Sequence, residues 1–135
     1  EAHISADIEA DLWKKFILIC VGGLLALSKT SYGELRSLPE MRPLMIELLE
    51  EILTLSKAIG IQIEADYMDK TLSFIDTFPY DSASSLARDI WAGSPSEIEY
   101  QNGAVVRLGK AYGVATPINR FVYHCILPME RKARR

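Results

Sequence analysis

Long apolar runs, clustered histidines and glycine-rich loops are what this sequence has little of. The longest uninterrupted apolar stretch, Phe16 to Leu27, spans 12 residues and follows Lys14 and Lys15. A membrane span needs about 18 or more, so this stretch is expected to be a core helix and no membrane partner is expected. There are only two cysteines, Cys20 and Cys125, and two histidines, His3 and His124. That is too few, and too scattered, for a disulfide framework, a metal site or a catalytic triad. Both thiols lie in apolar helical runs, where a reduced, buried state is expected, and with it a reducing, cytoplasmic compartment. His124 is expected to be structural. No Gly-x-Gly-x-x-Gly and no Walker loop occurs, so the chain by itself offers no recognisable cradle for a dinucleotide or a nucleoside triphosphate. Basic excess is also missing: the net charge is -3 and the pI about 5.4, which argues against a nucleic-acid partner. The one basic cluster, Arg131, Lys132, Arg134 and Arg135, is expected to be a solvated tail. No signal peptide is recognisable, and the opening Glu1-Ala2-His3 without an initiator Met points to a piece of something longer.

What is present is apolar material at helical spacing. With 49% hydrophobic and 24% charged residues over 135 positions, one domain covering 1-135 can bury its own core. Strand-like alternation is confined to Ile61 and Ile63, so the expected fold is all-α. A first helix should run from near Ser5 to about Leu27, with Ile8, Leu12, Phe16 and Ile19 on one side and enough further apolar surface to be central. Gly22-Gly23 inside it would let another backbone come close. Ser31-Tyr32-Gly33-Glu34 and Ser37-Leu38-Pro39-Glu40 both have the form of a capping box, marking a short helical turn and then a long helix. The long helix carries Leu44, Leu48, Ile52, Leu55 and Ile59 and should stop at Gly60. A fourth helix is expected over about Ala65 to Thr77, then three more: Ser82 to Ala92 ending at Gly93, Pro95 to Tyr112 ending at Gly113, and Pro117 to about Lys132 opened by Thr116.

Three polar constellations could carry chemistry, and each also has a plain structural role. Lys15 sits one turn after Asp11 on a strongly apolar helix. It is either half of an exposed Asp-Lys pair or an ammonium held at a cleft. Ser82, Ser84 and Ser85 open a helix, where serine caps amides. Ser94-Pro95-Ser96-Glu97 is a third capping-box pattern, which would make Glu97 a cap.

The order of these segments resembles one family. Asp11-Leu12-Trp13-Lys14-Lys15-Phe16 is similar to the Leu-Trp-x-Lys-Leu/Phe segment that opens the C-terminal domain of the ketopantoate reductases (2-dehydropantoate 2-reductases), and Gly33-Glu34-Leu35 resembles their Gly-Glu-Leu turn. Ser85 to Asp89, Glu97-Ile98-Glu99-Tyr100-Gln101-Asn102-Gly103 and Gly113 to Asn119 resemble the family's Ser-x-x-x-Asp, Glu-Ile-Asp-x-x-Asn-Gly and Gly-x-x-x-Pro-x-Asn series. Ser85 and Glu97 keep the same separation of twelve. The resemblance covers about residues 5 to 130.

It implies a multi-helix bundle like the C-terminal domain of 6-phosphogluconate dehydrogenase relatives, preceded in the whole protein by a Rossmann domain that binds NADPH. It further implies reduction of ketopantoate, or another 2-keto acid, on the route to pantothenate. Lys15 would take the catalytic lysine position, Glu97 the carboxylate that holds a substrate hydroxyl, and Ser85 the serine at the substrate's polar end. A homodimer is a further expected partner, and the fragment alone should be inactive. Ile19, Gly23 and Tyr32 stand where well-studied members carry Asn, which puts the substrate in question. The rival is a non-catalytic helical module for dimerisation or partner binding, with Ser85 and Glu97 acting as caps.

Overall fold

In a computed structural model, residues 2-135 are described, with side chains from residue 8 onward. The first helix, expected from near Ser5, starts at Ala2, and the His3 side chain lies outside the described ones. Among the described residues there are eight α-helices, one 3-10 turn and no strand: α1 (Ala2–Ile19), α2 (Val21–Ser28), α3 (Tyr32–Ser37), α4 (Met41–Ile59), α5 (Tyr67–Ile75), α6 (Ser85–Trp91), the 3-10 turn (Ile98–Tyr100), α7 (Asn102–Tyr112) and α8 (Pro117–Ala133). The all-α expectation holds, and the Ile61 to Ile63 segment is loop.

The Phe16 to Leu27 stretch does lie at the centre. Ile17, Cys20, Val21, Leu24, Leu25 and Ala26 are buried, with α4, α6, α7 and α8 packed around them. It is not one helix, however. The helix is interrupted at Cys20, whose amide still donates to the Phe16 carbonyl at 3.2 Å and whose carbonyl oxygen accepts a hydrogen bond of 3.1 Å from Asn102 Nδ2 at the start of α7. A side chain inserted at the ladder is a known cause of a helix break, and Gly22-Gly23 makes room for it. A Cβ on Gly23 would stand 2.2 Å from Asn102 Oδ1, and one on Gly22 would stand 2.6 Å from Ser84 Oγ. These two glycines therefore serve close approach.

A second correction concerns the face of α1. Ile8, Leu12 and Ile19, expected on the covered side, are 53%, 63% and 39% exposed. The inward face is instead set by Trp13, Ile17 and Cys20, one turn apart, and only Phe16 of the expected stripe joins the core edge.

Local signals fared unevenly. The Ser31 box forms as expected: Ser31 Oγ accepts from the Glu34 amide at 3.2 Å and Glu34 Oε1 accepts from the Ser31 amide at 3.0 Å. The Ser37 box does not form, because Ser37 is still in α3 and its hydroxyl donates to the Gly33 carbonyl, while Glu40 makes no cap bond. α4 buries Met45, Leu48, Leu49, Ile52 and Leu55 and ends at Gly60 with φ of 100°. α5 is shorter than Ala65 to Thr77, and α6 starts at Ser85 with Ser84 as its cap. The helix expected from Pro95 is replaced by the 3-10 turn and α7. α8 opens with Pro117, but Thr116 makes no cap bond; Glu51 of α4 does that work, accepting from the amides of Ile118 at 2.9 Å and Asn119 at 3.0 Å.

Candidate active-site surface around the α1 and α2 joint

Adjacent lysines on α1 have opposite fates. Lys14 turns toward the α5 side, where its ammonium lies 2.7 Å from Glu64 and 5.5 Å from the centre of the Tyr67 ring. Tyr67 Oη donates to the Lys14 carbonyl at 3.0 Å. The hydrogen bond from Lys14 holds the Glu64 carboxyl down at about 2. Lys15 lies on the other side, exposed, in line with Leu12 and Ile19. Among the described residues it has no ion-pair partner, so the Asp11-Lys15 pair does not form.

Ser85 and Glu97 are also exposed, and neither takes the capping role that the sequence pattern offered. Ser84, not Ser85, caps α6, its Oγ accepting from the Ala87 amide at 3.1 Å. Glu97 precedes the 3-10 turn without a side-chain cap bond. Next door, the Ser96 amide and hydroxyl both donate to the buried carboxylate of Glu130 on α8, at 3.0 Å and 2.7 Å, and the same hydroxyl oxygen accepts from the Ile98 amide at 3.4 Å. Burial alone would push the Glu130 carboxyl up, but the hydrogen bonds from Ser96 and Arg134 outweigh it and hold it below the usual range.

Lys15, Ser85 and Glu97 make no hydrogen bond or ion pair with one another. Their neighbours along the chain do meet: α2, which follows the helix of Lys15, packs on α6, and the joint at Cys20 reaches the start of α7. Ser84, beside Ser85, packs on Gly22, and Trp91 Nε1 of α6 donates to the Ala26 carbonyl of α2 at 3.1 Å. Asn102, five residues after Glu97, bonds Cys20, five residues after Lys15.

Sequence reasoning passed over the polar groups that tie these elements. Asn102 and Asn119 are both 0% exposed. Asn102 Nδ2 donates to Asn119 Oδ1 at 3.0 Å as well as to Cys20, and Asn119 Nδ2 donates to the Leu48 carbonyl at 3.2 Å and to Glu51 Oε1 at 2.9 Å. Both fall in the family-like segments noted above, and an Asn inside an otherwise helix-forming segment is disfavoured unless it has a partner. Tyr32 is buried too, its ring edge-on to Phe78 with centroids 4.8 Å apart, and burial raises its phenol pKa, against the pull of Arg88. Among the described residues no group of three His, Cys, Asp or Glu could hold a metal ion, and no helix is long and apolar enough to cross a membrane.

The fold defines the class first. Over 93% of its length the chain superposes on 42% of a PanE/ApbA family ketopantoate reductase of known crystal structure from Ralstonia eutropha, with a TM-score of 0.84 and 31% identity. A dimeric ketopantoate reductase from Staphylococcus aureus matches 93% of the chain with 44% of its own, at a TM-score of 0.86 and 20% identity, a likeness of fold. Residues 7–130 match the family described as ketopantoate reductase PanE/ApbA C terminal, and the chain belongs to it. In sequence it is 33% identical to a 2-dehydropantoate 2-reductase of Pyrobaculum aerophilum over 125 residues, 92% of this chain but 44% of that protein. The chain thus spans less than half the length of the relatives it matches.

Proposed function

We propose that this chain is the substrate-binding, C-terminal domain of an NADPH-dependent 2-keto acid reductase that reduces ketopantoate to pantoate for pantothenate synthesis. Its membership of the ketopantoate reductase C-terminal family over residues 7–130 carries the reading. The dinucleotide does not fit this chain's own residues. Gly60, Gly93 and Gly113 stand at left-handed helix ends, and Gly22 and Gly23 are filled by Ser84 and Asn102, so no glycine loop is free to cradle a phosphate. NADPH is therefore assigned to a Rossmann domain preceding this one.

The work of this chain is at the substrate. Reduction of a ketone places negative charge on the carbonyl oxygen, and a positioned ammonium can stabilise that charge and deliver the proton. Lys15 suits that role, being exposed and without an ion-pair partner among the described residues, unlike Lys14. Glu97 is a carboxylate not spent on capping, available to accept a hydrogen bond from a substrate hydroxyl. Ser85 has its hydroxyl exposed at the start of α6, available to the substrate's polar end. In the full-length protein, Lys15→Ala should lower ketopantoate turnover by about two to four orders of magnitude. Glu97→Ala should chiefly raise KM. A Lys15→Ala enzyme as fast as its parent would end the assignment.

A second reading concerns the substrate. Gly23 and Tyr32 are buried and Ile19 is an exposed aliphatic group one turn from Lys15, so none of the three offers an amide to a hydroxylated substrate. That favours a 2-keto acid with an apolar tail. Comparing ketopantoate with its analogue lacking the hydroxyl decides between them. A homodimer belongs to the same proposal, using the apolar groove lined by Leu24, Leu27, Met41, Leu44 and Phe121, where Phe121 is 66% exposed. Sedimentation of the full-length protein tests it.

A further inference from the structure

Lys15 and Glu97 are 82 residues apart, and a single side chain spans the gap between their segments. Cys20 follows Lys15 by five residues and Asn102 follows Glu97 by five; the hydrogen bond of 3.1 Å from Asn102 Nδ2 to the Cys20 carbonyl joins the two. We propose that Asn102 is a positioning residue, which sets the α1 helix carrying Lys15 against the 3-10 segment carrying Glu97.

The orientation of the Asn102 amide is dictated by its surroundings. Asn119 must present Nδ2 to the Leu48 carbonyl and Glu51, which leaves its Oδ1 toward Asn102. Cys20 offers only a carbonyl. Both neighbours are acceptors, so Asn102 must turn its NH2 to them, and its Oδ1 is left without a partner, fully buried against Gly23. An orphaned buried acceptor is unfavourable. It is tolerated where the donor side of the same amide has a task that an apolar residue could not perform. That task is mechanical. Asn102 Nδ2 engages the backbone at Cys20, the one residue between α1 and α2. The direction in which α1 leaves the core, and with it the position of Lys15, depends on that bond. On the other side, Asn119 and Glu51 anchor the same amide to α8 and α4, so the joint is referred to the rigid core and does not hang on one contact.

Because this inference rests on Lys15 acting as the proton donor, the test is a cycle of variants in the full-length enzyme. Asn102→Ala should lower kcat for keto acid reduction by about 10- to 100-fold with KM nearly unchanged, the size expected for a misplaced catalytic group. In a Lys15→Ala background the same change should cost less than about threefold, because a residue acting through Lys15 has nothing further to misplace. Gly23→Ala, which pushes Asn102 aside without removing it, should follow the same pattern. Equal losses in both backgrounds, or an undiminished kcat, would overturn the inference while leaving Lys15 in its role. A Lys15→Ala enzyme as fast as the parent would overturn both. If neither Asn102→Ala nor Gly23→Ala folds, Asn102 is a core residue and nothing more, and the inference is also lost.

Discussion

Two buried polar ties hold this domain together, and they differ in kind. One is made of amides: Asn102 and Asn119 link the α1 and α2 joint to α7, α8 and α4, ending on Glu51. The other is built on one carboxylate, Glu130, which gathers the Ser96 amide and hydroxyl and the Arg134 side chain. The amide tie sits in the centre, where a full charge would be costly, and it fixes the direction of a helix. The carboxylate tie sits near the end of α8, where Arg134 is exposed, and it fixes a loop. Buried polar groups of either sort are stable only when satisfied.

Breaking the amide tie should have the larger effect. Asn119→Ala takes one acceptor from the buried Asn102 amide and leaves a space beside it; the cost should be about 3–4 kcal/mol, read from urea unfolding of the domain. Loss of less than about 1 kcal/mol would mean that the α4 to α8 contact is carried by apolar packing alone.

Glu130→Gln sharpens the contrast. The variant keeps an oxygen for Ser96 but meets Arg134 with an NH2, and should lose about 1–2 kcal/mol at neutral pH. Its pH behaviour is the more telling measurement. The Glu130 carboxyl lies below its ordinary value of 4.5 in the folded chain. Its contribution is therefore complete above that value and is lost as pH falls through the lower, folded-state value. The parent should approach the variant in stability as pH drops below 4.5, and a difference that stays constant on acidification would contradict the charged tie.

The smallest effect is expected at a tie within one helix. Ser31→Ala removes the reciprocal bonds with Glu34 and should cost about 1 kcal/mol, visible as a small fall in the melting temperature with the loop at Ser96 unaffected.

The residues that spoke clearly in the sequence were those whose effect is local. Gly60, Gly93 and Gly113 have positive φ at the ends of their helices, Pro117 opens α8, and the Ser31 box forms. Where a local signal failed, a distant group had taken the residue. Ser96, inside the expected Ser94 to Glu97 box, is held by Glu130 from 34 residues away, and Glu97 makes no cap bond. Cap duty at α8 went to Glu51, 67 residues before Ile118. Of the candidate site, Lys15, Ser85 and Glu97 were legible as residues through family likeness, but not that all three would be exposed or that Ser84 would take the cap.

Sequence alone determined that the domain is helical, that Phe16 to Leu27 lies in its core and where most helices stop, because periodicity and the conformational limits of glycine and proline act over a few residues. Tertiary structure decided the break at Cys20, the outward turn of Ile8, Leu12 and Ile19, and the tie between the segments of Lys15 and Glu97. Each of these depends on a partner far along the chain. An apolar stripe does not reveal which neighbour will cover it, and a buried amide takes its place only once its acceptors have been brought together by the fold.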